Sequence, residues 1–120
     1  MNDILLIFSG NIDTRTQIQT IAKKELLDCF FLSYGDHLAD MAKRLEPFLI
    51  IIDFTSQNAD WAIKHLGEVK TRRSSLRVIG VIRSEAGEGE FTRLEKAGCD
   101  FILTKHSLLE KLPSILQTHS

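Results

Sequence analysis

Two residues of opposite charge each close an apolar run. Asp53 follows "FLIII" (Phe48 to Ile52), and Lys105 follows "FILT" (Phe101 to Thr104). A buried strand has no structural need of a charge at its end, so both positions invite a chemical reading. A carboxylate can act as a nucleophile towards a phosphoryl group. An ammonium beside it can pair with the phosphoryl oxygens, and positioning with charge compensation then does most of the catalysis. The unreactive alternative is a structural ion pair, which is weak evidence for stability although costly to break once buried.

The elements that must bring these residues together are legible as an alternation. Five short apolar runs are "ILLIF" (Ile4 to Phe8), "CFFLS" (Cys29 to Ser33), "FLIII", "VIGVI" (Val78 to Ile82) and "FILT". Runs apolar on both alternating faces suit strands covered on both sides, as in a parallel sheet. Between them run helical stripes: Ile18, Ile21, Ala22 and Leu26; Leu38, Met41, Ala42 and Leu45; Ala62, Ile63, Leu66 and Val69; Phe91, Leu94 and Ala97; and Leu108, Leu112, Ile115 and Leu116. Ser107 with Glu110 reads as a capping box opening the last helix, and Pro113 should kink that helix or loosen its first turn. Five strand–helix repeats with right-handed crossovers predict an α/β fold, a flavodoxin-like doubly wound (βα)5 three-layer sandwich with parallel strand order 2-1-3-4-5. Residues 1–120 read as a single domain with no output domain. In such sheets ligands sit at the carboxyl ends of the strands, which puts Asp53 and Lys105 on one rim.

At this point the sequence resembles the receiver domains of two-component response regulators, over nearly its whole length. "EPFLIIIDFTSQNAD" is similar to the third strand and following loop of receivers, with Asp53 at the phosphoacceptor place. "AGCDFILTK" (Ala97 to Lys105) resembles the family's Ala-Gly-Ala-Asp stretch and the lysine it leads to, and "ILLIF" with Arg15 after it fits the first strand and helix. The resemblance implies a phosphorelay protein, with a histidine kinase, phosphotransfer protein or output protein as partner. It implies a contact face built from the fourth helix, fifth strand and fifth helix, roughly Phe91 to Leu116, which could also serve a homodimer. Any enzymatic activity would be self-phosphorylation and dephosphorylation at Asp53.

Several positions depart from the family pattern. The magnesium-binding acidic pair at the end of the first strand is replaced by Phe8 and Ser9. The phosphate-contacting Thr or Ser at the end of the fourth strand is replaced by Ile82, with Ser84 two residues on as a substitute. His106 stands where a proline usually follows the lysine, Gln57 and Asn58 replace a Pro-Gly, and the switching aromatic of the fifth strand matches Ile102, with Phe101 beside it. Magnesium prefers hard oxygen ligands with one or two carboxylates, so the pattern predicts a degenerate pseudo-receiver with no dependable metal site. Asp13 and Asp60 are replacement ligands in principle, and as first-turn residues are better read as caps or dipole partners. A conventional receiver phosphorylated on Asp53 is the alternative. A more distant one is a flavodoxin-type binder cradling phosphate at "SGNIDT" (Ser9 to Thr14), with Trp61 to stack.

The remaining features narrow the class. Fifteen basic and sixteen acidic residues give a net charge of -1, with no footprint for nucleic acid or an anionic membrane. The N-terminus lacks a positive segment and no run approaches a membrane span of roughly 20 residues. Cys29 and Cys99 show no metal spacing and read as reduced and buried, in a cytoplasmic protein. His37, His65, His106 and His119 share no ligand spacing and read as surface or core residues. "KTRRSSLR" (Lys70 to Arg77) reads as a solvated face, and "SEAGEGE" (Ser84 to Glu90) as a mobile loop before a weak fourth helix.

Overall fold

The computed structural model describes residues 4–32, 37–55, 59–72 and 75–117. Its elements are β1 (Ile4–Phe8), α1 (Ile12–Lys24), β2 (Asp28–Leu32), α2 (Leu38–Leu45), β3 (Leu49–Asp53), α3 (Ala59–Arg72), β4 (Arg77–Ile82), α4 (Glu88–Ala97), β5 (Phe101–Thr104) and α5 (Lys105–Gln117). All strand pairs are parallel and the sheet order is β2-β1-β3-β4-β5. This is the doubly wound arrangement that the alternation of runs and stripes predicts.

Strand alternation sorts the apolar residues into two cores. Leu6, Phe8, Ile50, Ile52 and Val78 face α2, α3 and α4, where Leu38, Ala42, Ala62, Leu66, Val69 and Leu94 meet them. Leu5, Ile7, Leu49, Ile51, Ile79 and Val81 face α1 and α5 through Ile18, Ala22, Leu108, Leu112 and Leu116. The central strand β3 is buried at every position, Asp53 included. At the edge, β2 alternates exposed and half-buried residues, and Phe30 is accordingly left exposed.

Some expectations shift at element ends. Leu26 does not join the α1 stripe: the helix stops at Lys24, Leu26 takes φ 59°, and it is 88% exposed. Phe91 is exposed as well, so Leu94 alone anchors α4 fully. That helix begins at Glu88, inside the stretch expected to be a loop. The last helix begins two residues before Ser107; Thr104 Oγ1 accepts from the Ser107 backbone N–H at 3.2 Å and so occupies the capping place expected of Ser107. Pro113 therefore falls beyond the first turn, and α5 continues through it to Gln117. Because proline has no N–H, the turn there lacks one backbone donor.

Among the described residues, no helix is long and apolar enough to cross a membrane. Both cysteines are free thiols, Cys99 buried and Cys29 partly so.

Candidate functional site

The end of β3 is fixed from below before Asp53 is placed. The Phe54 backbone N–H donates to Val81 O at 2.8 Å, and the Phe54 ring lies over Gly80 of β4. A Cβ at Gly80 would stand 3.0 Å from Cys99 Sγ and 3.2 Å from Phe54 Cε2, so the glycine in "VIGVI" makes room for the ring. With Phe54 packed into the α2–α4 side, Asp53 takes the opposite parity and faces the α1 side of the sheet.

There the carboxylate is 3% exposed and both oxygens are engaged by neutral groups of the chain. Ser9 Oγ donates to Oδ2 at 2.7 Å. The Thr55 backbone N–H donates to Oδ1 at 2.9 Å, and the Thr55 hydroxyl donates to the same oxygen. Ser9 is itself 5% exposed, and its Oγ accepts from the Asn11 N–H at 3.2 Å. Asn11 in turn caps α1, its Oδ1 accepting from Thr14 N at 2.9 Å. A chain of hydrogen bonds thus runs from the helix cap through Ser9 to Asp53, whose other oxygen is held by Thr55. Buried polar groups need such partners, and this carboxylate finds three of them in Ser9 and Thr55.

Lys105 is not among those partners. It is the first residue of α5, partly buried, and makes no ion pair with Asp53. Shared membership of a rim brought the two residues to one side of the sheet without forming a hydrogen bond or ion pair between them in this conformation. The other predicted positions are dispersed. Phe8 packs into the α2–α4 core, on the face opposite Asp53. Ile82 pairs with Thr104 and packs against that same core. Ser84 does not turn towards the site: its hydroxyl donates to Glu85 Oε2 at 3.1 Å in an exposed turn. The His106 side chain is 89% exposed, with Nε2 3.4 Å from Glu110 Oε2. Ile102 packs towards the α2–α4 core and Phe101 towards the α1–α5 core. Asp13 is exposed and the capping place it was expected to share belongs to Asn11. Gln57, Asn58 and His119, and the side chains of Asp60 and Trp61, lie outside the described residues.

Magnesium does not fit this arrangement. Among the described residues Asp53 is its only carboxylate, and both of its oxygens already accept hydrogen bonds, whereas the ion needs several hard oxygens in near-octahedral array. At "SGNIDT" the N–H groups of Asn11, Thr14 and Arg15 are already directed to Ser9 Oγ, Asn11 Oδ1 and Asn11 O.

Two residues escaped the sequence reading. Thr55 had a signal, since an Asp followed two residues later by a donor is the pattern of an Asx-turn. The second is Lys70, assigned to a solvated basic face. Its Nζ instead lies 3.0 Å from Asp100 Oδ2 and 2.8 Å from Leu76 O, at the amino ends of β4 and β5. The fold also brings together His37 and His65, which sequence spacing kept apart: their rings meet edge to face with centroids 4.6 Å apart.

Chemotaxis protein CheY4 of Vibrio cholerae superposes with a TM-score of 0.77 at 14% identity, over 98% of each chain. The CheY-like protein tadZ of Pseudomonas aeruginosa gives 0.78 at 11% identity, over 98% of this chain and 93% of that one. The receiver domain of Francisella response regulator 1452 gives 0.74 at 18%, covering 98% and 95%. The fold is that of response-regulator receivers. No protein-family model and no curated protein matches the sequence. At these identities the likeness to receivers is one of architecture, and the chemistry must be argued from the residues themselves.

Proposed function

We propose that this chain is a receiver-type module of two-component signalling that acts through a separate protein partner without phosphorylation of Asp53. The observation that carries the reading is the set of hydrogen bonds from neutral groups that engages both oxygens of that carboxylate. Ser9 stands where receivers bring an acidic metal ligand, and its hydroxyl ties up Oδ2. Thr55 holds Oδ1 through backbone and side chain together. A nucleophilic carboxylate needs a free oxygen in line with the phosphoryl group and a cation to offset the gathering negative charge. This one is buried, internally satisfied and unaccompanied by the metal carboxylates of the family pattern.

Signalling then rests on surface recognition. The region from α4 through β5 to α5 is the contact face proposed for the partner, or for a second copy of the chain, and Phe91 gives it an exposed aromatic side chain. The near-neutral charge favours a protein over nucleic acid as the target. A reducing compartment such as the cytoplasm suits two cysteines that remain free thiols.

The test is direct. Purified protein is incubated with magnesium and acetyl phosphate, and its intact mass is measured while Trp61, the single tryptophan, is followed by fluorescence. The expected result is no phosphoryl mass increment and no saturable fluorescence change. An increment that disappears in Asp53→Asn would overturn the proposal in favour of a conventional receiver.

A further inference from the structure

The packing of α2 on α3 creates a second group of chemically capable side chains, away from Asp53. Leu38, Ala39 and Ala42 of α2 and Ala62, Leu66 and Val69 of α3 belong to one buried cluster, which fixes the two helices side by side. On α3, His65 and Glu68 are three residues apart and share a helix face. His37 occupies the N-cap place of α2 with extended backbone, and its side chain makes no capping hydrogen bond. Its ring is turned towards α3, standing at 82° to the His65 ring.

The consequence is that His37, His65 and Glu68 each bring a ligating atom to within 4.8 Å of the other two. Among the described residues, this is the only such trio of His, Cys, Asp or Glu. Asp40 adds a further carboxylate, with Oδ2 3.1 Å from His37 Nδ1, able to hold the ring's orientation.

We propose that His37, His65 and Glu68 form a binding site for a first-row transition ion, Zn2+ in the first instance, that bridges α2 to α3. Two imidazoles and one carboxylate are a donor set that zinc accepts with a fourth position left to water. Magnesium and calcium, which prefer all-oxygen shells, are disfavoured. Tetrahedral zinc with bonds of about 2.1 Å needs its ligands roughly 3.4 Å apart, so the trio must draw in slightly. His37 and Glu68 are exposed and can do so by side-chain rotation, while half-buried His65 provides the fixed point. The ion would join the start of α2 to the middle of α3 across an interface otherwise held by apolar contacts.

The experiment uses the full chain, stripped with chelator and kept reduced, titrated with Zn2+ by calorimetry and with Co2+ by visible absorbance. The expected result is one saturable equivalent, a Co2+ spectrum of low-coordinate nitrogen and oxygen ligation, and a rise in Tm that magnesium does not reproduce. His37→Gln and Glu68→Gln, both at exposed positions, should each weaken binding by roughly tenfold or more while leaving the metal-free Tm unchanged. His106→Gln, on α5, should leave binding as it is. Absence of saturable binding, a sulfur-ligated Co2+ spectrum, or equal affinity in the His37→Gln/Glu68→Gln double variant would each overturn the assignment.

Discussion

Asp53 and Asp100 stand at opposite ends of the same parallel sheet and are satisfied in opposite ways. At the carboxyl end, Asp53 is almost wholly buried, and its oxygens accept hydrogen bonds from two neutral hydroxyls and one backbone N–H. At the amino end, Asp100 holds the ammonium: Lys70 Nζ lies 3.0 Å from Oδ2, and the same oxygen accepts from Val78 N at 2.8 Å. A lysine–carboxylate pair is thus present in the molecule, on the rim where ligands do not bind in folds of this type. The "AGCD" stretch explains how. Gly98 ends α4 in the left-handed region at φ 115°, and a Cβ there would stand 2.9 Å from Lys70 Cγ, so the lysine stem passes over the glycine to reach Asp100. The difference separates two uses of one residue type. Asp100 clamps α3 to the start of β4 and β5, whereas Asp53 sits where chemistry would be expected and has been folded into the cap of α1.

The largest effect should come from giving the carboxyl end the charge it lacks. Ser9→Asp removes the hydroxyl donor and sets a second carboxylate against buried Asp53. In chelator at neutral pH, urea unfolding should show a loss of roughly 3 kcal/mol, the scale of an uncompensated buried charge. Magnesium should restore part of it, because two carboxylates begin to make a hard-oxygen site. Ser9→Ala should lose less and show no response to magnesium. If Ser9→Asp is neither destabilised nor rescued, the neutral-shell account of Asp53 is wrong.

A smaller effect should appear at the other end. Gly98→Ala forces a side chain into the left-handed region and against the Lys70 stem, at a cost of about 1–2 kcal/mol in the same unfolding measurement. Neither this variant nor the parent chain should respond to magnesium in that measurement. A Gly98→Ala protein as stable as the parent would mean that the helix end and the lysine can both relocate freely.

The comparison also shows which parts of the molecule the sequence can disclose. β1 and β5 occupy the residues of their apolar runs, and the parallel order follows from the alternation, because burial on both faces writes itself into composition. Helix ends are less legible. Leu26 extends the apolar periodicity of α1 by one step, yet its backbone has already left the helix. The side-chain partners were the least legible. Strand order places Asp53 and Lys105 on one rim, but rim membership does not fix a distance, and Lys105 is carried off by the first turn of α5. The pairing that does form joins residues 30 positions apart through the run of α3 past the end of α4, a relation no local spacing encodes. His37 and His65 met for the same reason, through helix packing rather than sequence interval.

The smallest effect is a test of charge alone, and Cys99 reports it. Burial pushes this thiol up from 9.0 to about 12; adjacent Asp100 pushes the same way and Lys70 opposes both. Cys29 is raised to about 11, by burial first and then by Asp28, far from the Lys70 pair. Because the folded values lie above the unfolded one, the neutral thiols contribute stability that is fully present below pH 9.0 and is lost as pH rises towards about 11 and 12. Lys70→Met keeps much of the apolar stem and removes the ammonium. The stability loss should be about 1 kcal/mol or less, since the Asp100 side chain is 37% exposed, the pair is screened, and Asp100 keeps the Val78 N–H. The thiol responds differently: without the opposing cation the Cys99 value rises further, and its thiolate fraction falls at any fixed pH. In a Cys29→Ser background, alkylation of native Cys99 should therefore slow in Lys70→Met and recover in Lys70→Arg, where a cation returns. Faster alkylation in Lys70→Met would mean that the substitution opens the amino end sterically, and that Lys70 acts there as a packed stem rather than as the charge partner of Asp100.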